Sequence, residues 1–146
     1  MIKSKETCFE CGHTRITYSR KLPTSDLPAL AQLYRIGEWA HIDQLTRKTG
    51  GGDFAKFEFW SLIEAKRNAN TRKRTSGVWR MTECGRLFMH GHARVRPRVV
   101  LCENQLLGFE GPLISVVDAS KLGGFDYAEL MLSEGQRRAR RWVQGA

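Results

Sequence analysis

Two cysteines three positions apart, Cys8 and Cys11, followed at once by Gly12 and His13, have the clearest capacity for chemistry in this chain. A C-x-x-C turn delivers two thiolates to one tetrahedral metal, whereas a closed structural zinc site needs four ligands. Only two are local. His13, Cys84 and Cys102 are the candidates to complete a structural zinc site that ties an N-terminal arm to the body, with a plain turn as the alternative reading. A redox C-x-x-C would need the strand and helix of a thioredoxin-like motif around it, which the flanking sequence lacks. His90 and His92 read as polar loop residues near a helix end. There is no phosphate-binding loop, G-x-S-x-G elbow or H-E-x-x-H pattern, and Glu58 and Glu64 read as solvated or salt-bridging carboxylates. The chain is therefore expected not to be an enzyme.

The second group of residues is cationic. Across 146 residues the net charge is +9, but its distribution is uneven: residues 1–100 hold 19 Lys/Arg against 9 Asp/Glu, residues 101–134 hold 1 against 6, and residues 135–146 hold 4 against none. A basic body attracts polyanions, and phosphate contacts supply most non-specific nucleic-acid affinity. The candidate contacts are Arg47, Lys48 and Thr49, then Lys56, then Arg72, Lys73 and Arg74, and finally Arg137 and Arg138 in the tail. Arg72 to Arg74 lie among Asn70, Thr71, Thr75 and Ser76, a composition that suits a polar loop with a cationic tip.

These residues need elements to position them. LPTSDLPALAQLYRIGEWA reads as a first helix, with Asp26 as cap, Pro28 in the first turn and Leu30, Leu33, Tyr34 and Trp39 near helical spacing. HIDQLTRKTGGG reads as a second, shorter helix with Ile42 and Leu45 inward, stopped by Gly50, Gly51 and Gly52. Asp53 can cap a third, FAKFEFWS, in which Phe57 is core with Leu62 and Ile63, and one or two of Phe54, Phe59 and Trp60 are left for the surface. LIEAKR and VWRMT form a hairpin around NANTRKRTSG; Trp39 and Trp79 are expected in the core. Thr82 caps a further helix through Leu87 and Phe88, ended at Gly91. VRPRVVLCENQLLGFEGPLISVVD reads as a small antiparallel meander, and a last helix is expected near Tyr127 to Ser133.

This order, with FAKFEFWSLIEAKR leading into SGVWRMTECGR, resembles the winged helix-turn-helix domain of MarR- and PadR-type regulators over residues 27–92. In that family a recognition helix runs directly into a Leu-Ile strand, and the returning wing strand ends in a Thr-x-x-Gly turn. Ser61 departs from the pattern, because a Gly is usual just before the Leu-Ile pair. The whole chain, with its CxxCGH start, also resembles phage and prophage proteins of this size, which implies a viral or mobile-element origin and no function.

The expected fold class is α+β: a winged helix-turn-helix at residues 22–95 between a knuckle and arm at 1–21 and an acidic β-meander with a helix at 96–134, followed by a basic tail at 135–146. The resemblance implies a double-stranded DNA binder, a phage or prophage regulator of transcription, acting in the bacterial cytoplasm, with a homodimer as one arrangement. The alternative expectation is a phage-encoded effector that binds a host protein or nucleoprotein complex, such as a defence nuclease or polymerase. No run of about 20 apolar residues is present, so no membrane association is expected.

Overall fold

The computed structural model describes residues 2–45, 53–67, 77–103 and 105–132. In chain order they form β1 (Ile2–Thr7), β2 (Thr14–Lys21), α1 (Leu27–Ile36), β3 (Ala40–His41), β4 (Ile63–Ala65) and β5 (Val78–Met81), then α2 (Glu83–Met89), β6 (Arg98–Cys102), β7 (Gln105–Glu110), α3 (Val116–Leu122) and α4 (Tyr127–Leu130). Short 3-10 turns lie at Thr24–Asp26, Ile42–Gln44 and Phe54–Trp60. The class is mixed α+β, with two antiparallel sheets of order β1-β2-β6-β7 and β3-β5-β4.

The N-terminal arm and the meander, distant in sequence, are neighbours in one sheet. β2 pairs with β6 from Thr17 opposite Cys102 to Lys21 opposite Arg98. Strand pairing therefore ties the N-terminal segment to the body. Along β6, Val99 and Leu101 are buried while Arg98 faces solvent, the two-residue period of a sheet covered on one face. Lys3 on β1 forms an ion pair with Glu110 on β7. In a flat sheet those outer strands would stand about 14 Å apart, three strand spacings, so the pair marks a curled sheet.

The second sheet packs against helices. Leu27, Leu30 and Leu33 line the inner face of α1, Pro28 occupies its first turn, and Gly37 ends it in the left-handed region with its N–H on the Leu33 carbonyl at 3.1 Å. Asp26 stands at the N-cap position without a side-chain capping bond, so the cap expected there does not form. Trp39 falls beyond the helix end and is half-exposed beneath the Arg80 guanidinium, 4.4 Å from its ring; it is a surface residue rather than core, unlike Trp79, which is buried.

Phe54–Trp60 departs most from what the sequence led one to expect. It winds as a 3-10 helix of 3 residues per turn, so positions three apart eclipse one another. Phe54, Phe57 and Trp60 then share one face, and all three are buried, with Phe59 half-buried. The α-helical expectation, which leaves some of these rings at the surface, is corrected by that change of period. Burying each phenylalanine contributes about 1.5–3 kcal/mol. Asp53 has helical backbone angles and makes no capping bond, so its expected cap is replaced by a backbone turn in which Lys56 N–H donates to the Asp53 carbonyl at 3.0 Å.

Both sheets contribute to one core. Leu30, Phe57, Trp79 and Phe88 belong to the same buried cluster as Val99, Leu101 and Val116. Trp60 joins the halves, its indole N–H donating to the Arg96 carbonyl at 2.8 Å and its ring 6.1 Å from Phe109. Where the sequence suggests the end of the meander, Ser115 and Asp118 form a reciprocal capping box that starts α3 instead. Among the described residues no helix is long and apolar enough to cross a membrane.

Candidate functional site

Two places are built for a role: the turn between β1 and β2, and the three-stranded sheet, whose β4-β5 hairpin is closed by a tight junction at its Ile63/Met81 end and leads in sequence to residues 68–76 from the other.

At the first, residues 8–13 close on themselves. Cys8 N–H donates to the His13 carbonyl at 2.6 Å, Gly12 N–H to the Cys8 carbonyl at 3.0 Å, and Gly12 adopts φ +72°, a left-handed conformation in which glycine carries no Cβ penalty. Thr7 and Thr14 clamp the base through their hydroxyls at 3.2 Å. The Cys11 N–H, the Cys11 thiol and the Glu10 N–H hydrogen-bond to Cys8 and hold its thiol below the ordinary value, favouring the thiolate that binds metal. Both cysteines are exposed, and Cys8, Cys11 and His13 border a shallow hollow of about 390 Å³ with Glu6, Thr7 and Arg15.

Of the other expected ligands, His13 borders the same hollow, while Cys84 and Cys102 border others. His13 Nε2 lies 2.5 Å from Glu103 Oε1; an ionised carboxylate only accepts, so Nε2 carries the hydrogen. That bond holds Glu103 below the usual carboxylate range. Cys102 borders a neighbouring hollow with Glu103 and Arg15, and Cys84 sits on α2 beside a third, lined by Trp60, Arg94 and Arg96. Among the described residues no three His, Cys, Asp or Glu side chains gather as a metal site. His90 caps the end of α2, its Nε2 lies in hydrogen-bond contact with Tyr34 Oη at 2.5 Å, and its ring stacks on His92 at 5.8 Å, so the Tyr34–His90 contact links α1 to α2.

The second place is built on the junction of the 54–60 turn with β4 and of β5 with α2. Ser61 lies in the left-handed region at φ +59°. The tight turn therefore forms with serine where glycine is usual. Thr82 secures it from three sides: its hydroxyl donates to the Ser61 carbonyl, its N–H donates to the Leu62 carbonyl at 3.1 Å, and its oxygen accepts the Gly85 N–H at 2.9 Å. A Cβ on Gly85 would stand 2.1 Å from the Leu62 carbonyl oxygen. The Thr-x-x-Gly spacing thus has a physical cause: cap and glycine together let α2 press on the strand backbone.

No protein-family model matches the chain, and no curated protein or solved structure matches it either.

Of the expected phosphate-binding residues, Lys56 alone lies among the described ones. It is half-buried on the 54–60 turn, next to a face committed to the core, with the exposed carboxylate of Glu58 two residues on. Arg47, Lys48, Thr49, Arg72, Lys73, Arg74, Arg137 and Arg138 lie outside the described residues. Their contribution can be read from charge: segments 46–52, 68–76 and 133–146 hold nine Lys/Arg and one Asp/Glu, or +8 of the total +9, leaving +1 on all described residues. Some described cations are also neutralised, as where Glu64 accepts from Arg80 Nε at 2.7 Å.

Proposed function

We propose that this chain is a winged helix-turn-helix protein that binds double-stranded DNA and serves as a phage or prophage regulator. One observation carries the reading: helix α1, the turns at 42–44 and 54–60, and the β3-β5-β4 sheet follow the winged-helix order, and two of the three cationic segments are its connections. Segment 46–52 leads into the 54–60 turn, and segment 68–76 joins β4 to β5, whose pairing extends to Lys66 N–H on the Val78 carbonyl at 2.9 Å. The loop between such paired strands is the wing in that fold, and arginine there suits a narrow minor groove. The aromatic face of the 54–60 turn is buried, so in this reading phosphate binding falls to the two flanking segments and to Lys56 rather than to stacking rings.

Fluorescence anisotropy with a duplex over a salt series tests this. Each neutralised phosphate contributes about 0.9 to the slope of log K against log salt. Replacing Arg72, Lys73 and Arg74 together by Ala is expected to weaken binding at low salt and to flatten the slope by about 0.9 for each phosphate left without its cation. An unchanged slope removes residues 68–76 from the interface.

A second reading is favoured by one surface. On the outer strand β7, Leu106, Leu107 and Phe109 are 49%, 60% and 40% exposed within the acidic 101–134 segment. An apolar edge in acidic surroundings suits an effector that docks on a basic host protein or nucleoprotein complex. Capture of a host partner that survives nuclease treatment and disappears on Leu107→Lys would support it over DNA binding.

A further inference from the structure

We propose that the turn of residues 8–13 is half of a zinc site, completed by the same turn of a second copy, so that Cys8 and Cys11 of two chains hold one ion through four thiolates. The half-site is built. Gly12 and the two backbone bonds close the turn, and a side-chain hydrogen bond between Cys8 and Cys11 keeps the two thiols beside each other. Both cysteines are exposed at the tip of a hairpin, where a second chain can reach them.

Among the described residues no two further ligands gather with Cys8 and Cys11. All four cysteines and all four histidines lie among the described residues; the segments outside them bring no thiol or imidazole and a single carboxylate, Glu134. His13 is engaged with Glu103, Cys84 borders a different hollow, and Cys102 borders the one beside Glu103. Zinc in a closed structural site takes four ligands, and four thiolates are one of its usual sets. A two-fold axis through the ion supplies that pair, since the interface then presents identical surfaces. Phe9, between the cysteines and wholly exposed, is placed to lose its apolar surface to the partner turn. The bridge uses none of the cationic segments, so it stands apart from the DNA-binding reading.

The full chain, purified with a phosphine reductant, is titrated with zinc and then with EDTA while metal content and light-scattering mass are followed. The expected result is one zinc per two chains, a doubling of mass with zinc, and return to monomer with EDTA. Cys11→Ser is expected to stay monomeric and lose zinc while keeping the wild-type thermal midpoint in EDTA, which separates loss of the site from loss of the fold. His13→Ala and Cys84→Ser are expected to retain both stoichiometry and dimer. Cobalt in place of zinc should show the charge-transfer and intense ligand-field bands of a tetrahedral four-thiolate centre. One zinc per monomer, abolished by His13→Ala, would overturn the proposal in favour of a site closed within the chain. No zinc uptake at all, or a dimer that survives EDTA, would overturn it as well.

Discussion

The turn at Cys8 to His13 and the junction at Ser61 to Gly85 use the same local devices and end differently. Each has a residue in the left-handed region, Gly12 at φ +72° and Ser61 at φ +59°, and each has a side chain that gathers backbone N–H groups, the Cys8 sulfur in one and the Thr82 oxygen in the other. At the junction Ser61 is exposed and Thr82 half-buried, but Gly85 is buried against Leu62 and Met81, and the Thr82 hydroxyl and N–H and the Gly85 N–H all find partners inside the fold. At the knuckle the same organisation faces solvent. A turn whose polar atoms are satisfied by packing adds stability, whereas one that holds two sulfurs outward keeps binding capacity for something else.

The strongest way to break this comparison is to add one methyl group to each turn. Gly85→Ala places a Cβ against the Leu62 carbonyl and the Met81 side chain, and is expected to cost about 3 kcal/mol or to prevent folding. Gly12→Ala meets open space, so only its left-handed conformation opposes the change, at about 1 kcal/mol confined to the hairpin. Urea unfolding of both variants checks the ordering; equal losses would show that the junction is not the tighter of the two.

Thr82→Ala comes next. It removes the cap on Gly85 and the bond to Ser61, with an expected loss of about 1–2 kcal/mol in the same assay. Ser61→Gly should move the other way. Relief of left-handed strain contributes about 1–2 kcal/mol, extra freedom in the unfolded chain offsets about 0.5–1, and a net gain of about 0.5 kcal/mol is expected. A thermal midpoint below wild type would mean that the serine side chain has a role of its own.

The smallest effect belongs to an exposed cap. The Asp118 carboxylate is held below its ordinary value of 3.8 by the backbone N–H and the hydroxyl of Ser115. Its folded-state value is depressed, so its contribution to α3 is complete above the unfolded value and fades as pH falls through the folded one. A proton titration of α3 amide shifts should show a midpoint below 3.8 that Asp118→Asn abolishes, with little change in global stability near neutral pH.

Several elements are legible from neighbours in the chain. Pro28 opens α1, Thr82 starts α2, and the strands at Ile63 and Val78 stand where alternation places them, whereas the end of α1 at Gly37 comes before Trp39, which the spacing puts in the helix. Other signals are present in the sequence but point elsewhere at first sight. The spacing of Phe54, Phe57 and Trp60 is the eclipsed repeat of a 3-10 turn, and Ser115-x-x-Asp118 is a capping box inside a run that looks like strand. The cysteine pair is visible at once, while the separation of Cys84 and Cys102 into other hollows is not.

The amino-acid order alone determined the knuckle, the helix starts at Pro28 and Thr82, and the concentration of positive charge in three short segments, because caps, turns and charge depend on residues a few positions apart. Only the tertiary structure decided that the N-terminal hairpin and the strands after residue 97 share a sheet, and that Trp60 locks this sheet to the other through Arg96. Thr17 and Cys102 are eighty-five positions apart, and nothing in either strand's period names its partner. That choice follows from which apolar faces can be buried together, a property of the whole chain and not of any window within it.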